Sequence, residues 1–289
     1  MKSQSPIIIT GMHRSGTSLL SRIIEYNGIF LGSYKDINNE SIYFQNINKW
    51  LMSINSSSWD NPSSFLDSIN SDNFKINTKK LGLIINSKSN FKYFGLKNII
   101  INKNFFTYGN MWGWKDPRNI FTLPFWLELF PNSKVIIVSR HPFDVVNSLL
   151  KREKNNIKDD KNNISKYYPY FLITFFRLSN FSNRSSLLIK DFDDGINLYI
   201  KYFDESKRLL KKYKKNIKIV RYEDLITNKV ESINEVLQFL NIKSINKNNK
   251  FLETINEDRA FNFRLDNDFD NSNFKKYQTI LEKYGYNIN

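Results

Sequence analysis

Residues 10–18 read TGMHRSGTS, and their types and spacing are those of a loop that grips an anion. Gly11 and Gly16 keep the Gly, four residues, Gly spacing of a phosphate-binding loop, but Thr17 stands where a nucleoside-triphosphate hydrolase needs lysine. In such a hydrolase the lysine reaches the β and γ phosphates and the next hydroxyl binds magnesium, while backbone amides at a helix N-terminus cradle the anion. A loop with the cradle and without the lysine suits a single 5′-phosphate. Ser15, Gly16, Thr17 and Ser18 supply its amides and hydroxyls, and Arg14 meets the group on the other side of that phosphate.

Three further segments carry chemistry-bearing residues. SRHPFDVVNS places Arg140 at the end of an apolar run and Ser148 in the helical pattern that follows. A guanidinium there offers a planar charged fork at the edge where ligands gather in open α/β sheets. GWKDPR, residues 113–118, holds Lys115, with Asp116 able to orient that lysine or to cap the turn before Pro117, and Arg118 facing either a substrate or a surface acid. VRYEDL, residues 220–225, holds Tyr222, either beside a ligand or anchoring the sheet edge, with Glu223 and Asp224 readable as an ordinary helix start.

Together these segments resemble the 3′-phosphoadenylylsulfate (PAPS)-dependent sulfotransferases, in the order the family has them. HRSGTS is similar to the family's 5′-phosphosulfate loop, for which the missing lysine is expected and no metal is required. The resemblance implies that Arg140 and Ser148 bind the 3′-phosphate and that Tyr222 lies beside the adenine. It also implies that Lys115 approaches the transferring sulfuryl group, as in the Lys-Asp-Pro segment of tyrosylprotein and bacterial members. Arg14 and Lys115 are then the catalytic cations. Glu40, in INNESIYFQN, stands in a place comparable to the proton-accepting glutamate of tyrosylprotein sulfotransferases, whereas His13 and His141 match no family base. The Arg-Lys-Gly segment of the cytosolic eukaryotic branch is not found. The implied reaction moves a sulfuryl group from PAPS to a hydroxyl or amine and leaves adenosine 3′,5′-bisphosphate.

The elements that must position these residues read as α/β, with a P-loop-like central parallel sheet flanked by helices. PIIIT, the glycine turn and TSLLSRIIEYNG form a strand, loop and helix ending near Gly28; SKVIIVSRHPFDVVNSLLKRE repeats that unit with a strand over 134–139 and Pro142 in the helix's first turn. A third strand is expected over 217–225, then a helix around 229–240. Residues 33–110 read as a substrate-side insertion of helices and loops in a single domain spanning 1–289. Residues 151–166 read as a polar linker, 192–216 as a helix, and the tail as one helix after a polar loop.

Composition narrows the classes. With no cysteine and two histidines, disulfides, thiolate metal sites and ordinary zinc sites are excluded. The N-terminal segment has no apolar leader, so a cytoplasmic chain is expected. The aromatic run 167–176 is about half the ~20 residues of a membrane span and is broken by Pro169, so no span is expected; it reads as a buried helix face, with peripheral contact to a membrane or a lipid-bearing acceptor as the alternative. Net charge is +15, yet most of the cations are lysines in a chain crowded with Asn and Ile, so the charge reads as composition and no nucleic-acid partner is expected. A non-catalytic nucleotide- or polyanion-binding protein is the alternative from another class. A kinase or ATPase is disfavoured by Thr17 and by a 134–139 strand that ends in Ser-Arg instead of a magnesium-binding Asp. The acceptor, whether glycan, lipid-linked saccharide, metabolite or tyrosine, is not written in any motif.

Overall fold

The computed structural model describes residues 4–69, 71–101, 103–163, 186, 188–245, 250–256, 259–265 and 272–286. Strands β1 (Ile7–Gly11), β2 (Gly113–Lys115), β3 (Lys134–Ser139) and β4 (Ile217–Arg221) form one parallel sheet in the order β2-β1-β3-β4. Because every strand points the same way, the loop after each strand emerges at one edge. That edge collects the residues following Gly11, Lys115, Ser139 and Arg221.

Period-two alternation divides the core into two layers. Ile8, Val135 and Ile137 face one layer, while Ile7, Ile9, Ile136 and Val138 face the other. The second layer is covered by α1 (Thr17–Tyr26), whose Leu20, Ile23 and Ile24 are buried. The 33–110 segment is helical, as its sequence suggests, with α2 (Ile42–Ser53), α3 (Ser63–Ser68), α4 (Asp72–Asn86), α5 (Phe91–Phe94) and α6 (Asn98–Ile101). It packs on the first layer through aromatic rings: Phe44 of α2 stacks on Trp114 of β2 at 3.9 Å between centroids and meets Trp126 edge-on at 5.3 Å. Trp126 lies on α7 (Asn119–Leu129). Trp114, the residue before Lys115, is therefore a core residue.

Two boundaries differ from the sequence expectation. The 151–163 stretch is not a linker but the continuation of α8 (Pro142–Asn163). It contains neither Gly nor Pro, and its Lys, Arg and Glu residues are good helix formers, so nothing stops a helix already anchored by buried Phe143, Val145, Val146 and Leu149. The last expected strand ends at Arg221, and α10 follows over Tyr222–Thr227, after α9 (Phe192–Lys212). Glu223 and Asp224 lie in the first turn of α10, where acids complement the helix dipole. Helices α11 (Lys229–Phe239) and α12 (Ser272–Lys283) complete the chain near the expected places, and the aromatic run 167–176 lies outside the described residues.

Candidate active site

The 10–18 loop is shaped by backbone conformations that few residues tolerate. Arg14 has φ 71° and Gly16 has φ 96°, both left-handed, and Gly16 directly precedes α1. A Cβ on Gly16 would lie 2.1 Å from Cδ2 of Tyr222, so glycine serves both the turn and the close approach of that ring. Ser15 is buried, and its Oγ has no hydrogen-bond partner among the described residues. A buried hydroxyl without a partner beside a helix N-terminus is a group that an anion held there would satisfy.

The second expected pocket adjoins the first. Nε of Arg14 donates to Oγ of Ser148 at 2.8 Å, and Nη1 of Arg140 donates to the Arg14 carbonyl at 3.3 Å. The Arg140 guanidinium lies 4.6 Å over the Tyr222 ring, which is thus held between Arg140 and Gly16. Nη2 of Arg140 donates to the carbonyl of Arg259 at 2.7 Å and pairs with Asp144 at 3.1 Å, while its Nε is buried without a partner. Arg14 is held below the usual arginine range by burial and then by the charges of Arg152, Arg140 and Arg259. Like charges gathered in this way repel one another and favour an anion between them.

Lys115 ends β2 and is buried, 1% exposed, with Nζ 3.2 Å from Oε1 of Glu40. Oε2 of Glu40 accepts from Gln45 at 2.9 Å and lies 3.5 Å from Nη1 of Arg118. Burial pushes the Glu40 carboxyl up, but the Lys115 and Arg118 charges and the Gln45 hydrogen bond outweigh it and hold it below the usual range. Asp116 takes the capping part: Oδ1 accepts from the backbone and the guanidinium of Arg118 at 2.9 and 3.0 Å. Arg118 is thereby turned inward onto two acids. The Ser18 hydroxyl donates to the Asn38 carbonyl at 2.8 Å and ties α1 to the loop carrying Glu40. Asp36 shapes that loop, accepting from the amides of Asn38 and Glu40 through Oδ1 at 2.9 and 2.8 Å.

Several residues of this site carry no local sequence signal. Asn48 of α2, fully buried, donates to Asp116 and Asn119 at 2.9 and 2.8 Å and accepts from Thr122 and Trp126, each at 2.8 Å. It pins the insertion to the segment after β2 and so sets Glu40 against Lys115. Arg152 and Arg259 reach the cluster from distant parts of the chain. Only the Asp36-to-Glu40 turn, with its Asp-Ile-Asn-Asn pattern, could have been found from sequence.

His141 is structural. Its backbone amide donates to Glu223 at 2.7 Å, its Nδ1 accepts from the Phe143 amide at 3.2 Å, and its ring stacks on Phe263 at 4.5 Å. Burial, aided by Arg264, Arg221 and Arg140, lowers its pKa to about 3. The unfolded chain binds this proton below about pH 6.5 and the folded chain does not, so His141 costs stability as pH falls from about 6.5 towards 3. His141→Asn, which keeps a helix-capping acceptor without the titration, is expected to flatten the fall in thermal midpoint between pH 7 and 5. An unchanged slope would contradict this assignment.

Comparison with known proteins bears on the family and the fold. The family model described as "Sulfotransferase domain" matches residues 4–283. The sulfotransferase domain from the curacin biosynthetic pathway has a similar fold, with 17% identity, 100% of both chains covered and a TM-score of 0.51. A sulfotransferase from Alicyclobacillus acidocaldarius matches with 13% identity over 87% of this chain and 89% of that one, at a TM-score of 0.41. No curated protein matches the sequence significantly. Among the described residues no helix is long and apolar enough to cross a membrane, and no group of three His, Asp or Glu side chains could hold a metal ion.

Proposed function

The chain belongs to the sulfotransferase family, and from that premise we propose that it transfers a sulfuryl group from PAPS to a hydroxyl or amine acceptor. The observation that carries the donor assignment is the junction of the two anion pockets, through the contacts of Arg14 with Ser148 and of Arg140 with the Arg14 carbonyl. One nucleotide with phosphates at both its 5′ and 3′ positions fits that junction; a triphosphate does not use it. Ser15, Gly16, Thr17 and the backbone of Ser18 hold the 5′-phosphate, Arg140 and Ser148 hold the 3′-phosphate, and Tyr222 lies beside the adenine. The unpartnered Ser15 Oγ and Arg140 Nε are the groups this ligand satisfies.

Transfer breaks the bond between sulfur and the phosphate oxygen and forms one to the acceptor oxygen or nitrogen. Charge grows on the departing phosphate oxygen, and in this reading Arg14 and Lys115 offset it; one such positioned donor is typically worth about 10²- to 10³-fold in rate. Lys115 needs no reorganisation, because Glu40 and the Asn48-to-Arg118 network fix its ammonium in a buried place. Glu40 is thus the counter-ion that aims Lys115, and through the resemblance it is a candidate receiver of the acceptor's proton. Glycan, lipid-linked saccharide, metabolite and tyrosine acceptors are all compatible with this centre.

Incubation with radiolabelled PAPS tests the reading. The parent chain is expected to move label to an acceptor or to water, and Arg14→Ala to lower that rate by about 10²-fold. Tight binding of adenosine 3′,5′-bisphosphate with no loss of label from PAPS would favour a non-catalytic nucleotide-binding protein.

A further inference from the structure

His13 has no assigned part, yet it occupies the 10–18 loop two residues before Ser15. Its Nε2 is buried and has no hydrogen-bond partner among the described residues. An imidazole nitrogen in that state costs stability unless a ligand completes it. Its surroundings are those of the transfer centre: Arg14 on its own loop, Lys115 at the end of β2, Arg118 in the turn beyond, and Arg152 from α8. The Trp59 ring meets it edge-on at 4.6 Å, and the Arg152 guanidinium lies 5.0 Å over the same Trp59 ring system. The acids of this neighbourhood are already committed, Glu40 and Asp116 to Lys115 and Arg118, and Glu153 to Arg152. Asp60, next to Trp59, accepts from Ser186.

We propose that Nε2 of His13 receives the acceptor's proton, and that Glu40 serves to aim Lys115. The acceptor oxygen attacks sulfur, the bond between sulfur and the 5′-phosphate oxygen breaks, the hydroxyl proton passes to Nε2, and the bond's electrons leave with adenosine 3′,5′-bisphosphate. The imidazolium then releases its proton to solvent. Glu40 is the poorer receiver because each of its oxygens already accepts from or pairs with a cation or amide. His13, by contrast, is kept neutral by burial and by its four cationic neighbours. The donor's negative charge offsets those same cations, so proton affinity at Nε2 rises when the donor is bound, which is when a base is needed.

This inference rests on the PAPS reading, and two measurements keep the failures apart. Adenosine 3′,5′-bisphosphate binding is measured first by calorimetry for the parent, H13Q, H13A and E40Q chains. Loss of label from PAPS, with unsubstituted phenol or water as acceptor, is then followed from pH 5 to 9. Expected are near-parent nucleotide affinity in H13Q, turnover lowered by about 10²- to 10⁴-fold, partial recovery of H13A by added imidazole, and an acidic limb of the pH profile that persists in E40Q and vanishes in H13Q. Turnover in H13Q within threefold of the parent with its acidic limb intact, or a limb lost only in E40Q, overturns the assignment to His13. A parent chain that binds no nucleotide, or leaves PAPS intact, overturns the enzyme reading together with it.

Discussion

Lys115→Met is expected to lower turnover of PAPS by about 10³-fold while leaving the affinity for adenosine 3′,5′-bisphosphate within a few-fold of the parent. The lysine contacts neither Arg140 nor Ser148, and its ammonium is directed at Glu40, so what it supplies is charge at the point of transfer. The substitution also strips a buried carboxylate of its nearest cation. Removing one partner of a buried pair typically costs about 3–5 kcal/mol, and Arg118 and Gln45 keep the loss at the lower end here. Combining Lys115→Met with Glu40→Gln removes the uncompensated charge, so the double variant should regain stability and remain inactive. Parent-like turnover in Lys115→Met would take that lysine out of the mechanism, and activity recovered in the double variant would make its effect one of folding.

Gly16→Ala is expected to weaken nucleotide binding by more than about 100-fold. Two costs act together. An alanine at φ 96° pays roughly 1–2 kcal/mol for left-handed backbone, and its Cβ would sit 2.1 Å from a tyrosine ring that is itself pinned by Arg140. Either the loop opens, and its amides no longer converge on one phosphate, or Tyr222 leaves the adenine position. Adding Tyr222→Ala separates these, since it removes the clash but not the strain. Affinity in the double variant should rise above that of Gly16→Ala and stay below that of Tyr222→Ala alone. Full affinity in Gly16→Ala would show that this loop does not hold the nucleotide.

Much of the fold could be read from local chemistry. The β1-loop-α1 and β3-α8 units follow from apolar runs that end in glycine or proline, and a parallel sheet follows from two such units. The residues expected to form the anion loop and the Arg140 pocket could be named for the same reason, because backbone conformation and residue type are set within a few positions. What escaped depends on contacts between distant segments. Asn48 is an unremarkable helix residue until folding brings Asp116, Asn119, Thr122 and Trp126 around it. Arg152 falls in a stretch whose sequence reads as a linker, and it reaches the centre only because α8 runs on past Leu150. Ser18 and His13 show the converse limit: both lie within the recognised loop, yet their partners, Asn38 for one and Trp59 for the other, come from the insertion.

The central claim is that the Gly16 loop and the Arg140 pocket bind one nucleotide between them. Calorimetric titration of the parent chain with adenosine 3′,5′-bisphosphate and with ADP tests it most directly, because the two ligands differ in where the second phosphate sits. Two charge-assisted hydrogen bonds from Arg140 and Ser148, at about 1.5 kcal/mol each, correspond to roughly 100-fold tighter binding of the 3′-phosphorylated ligand. That preference should fall to roughly tenfold in Arg140→Ala and disappear when Ser148→Ala is added. Equal affinities in the parent chain, or a preference for ADP, would contradict the account.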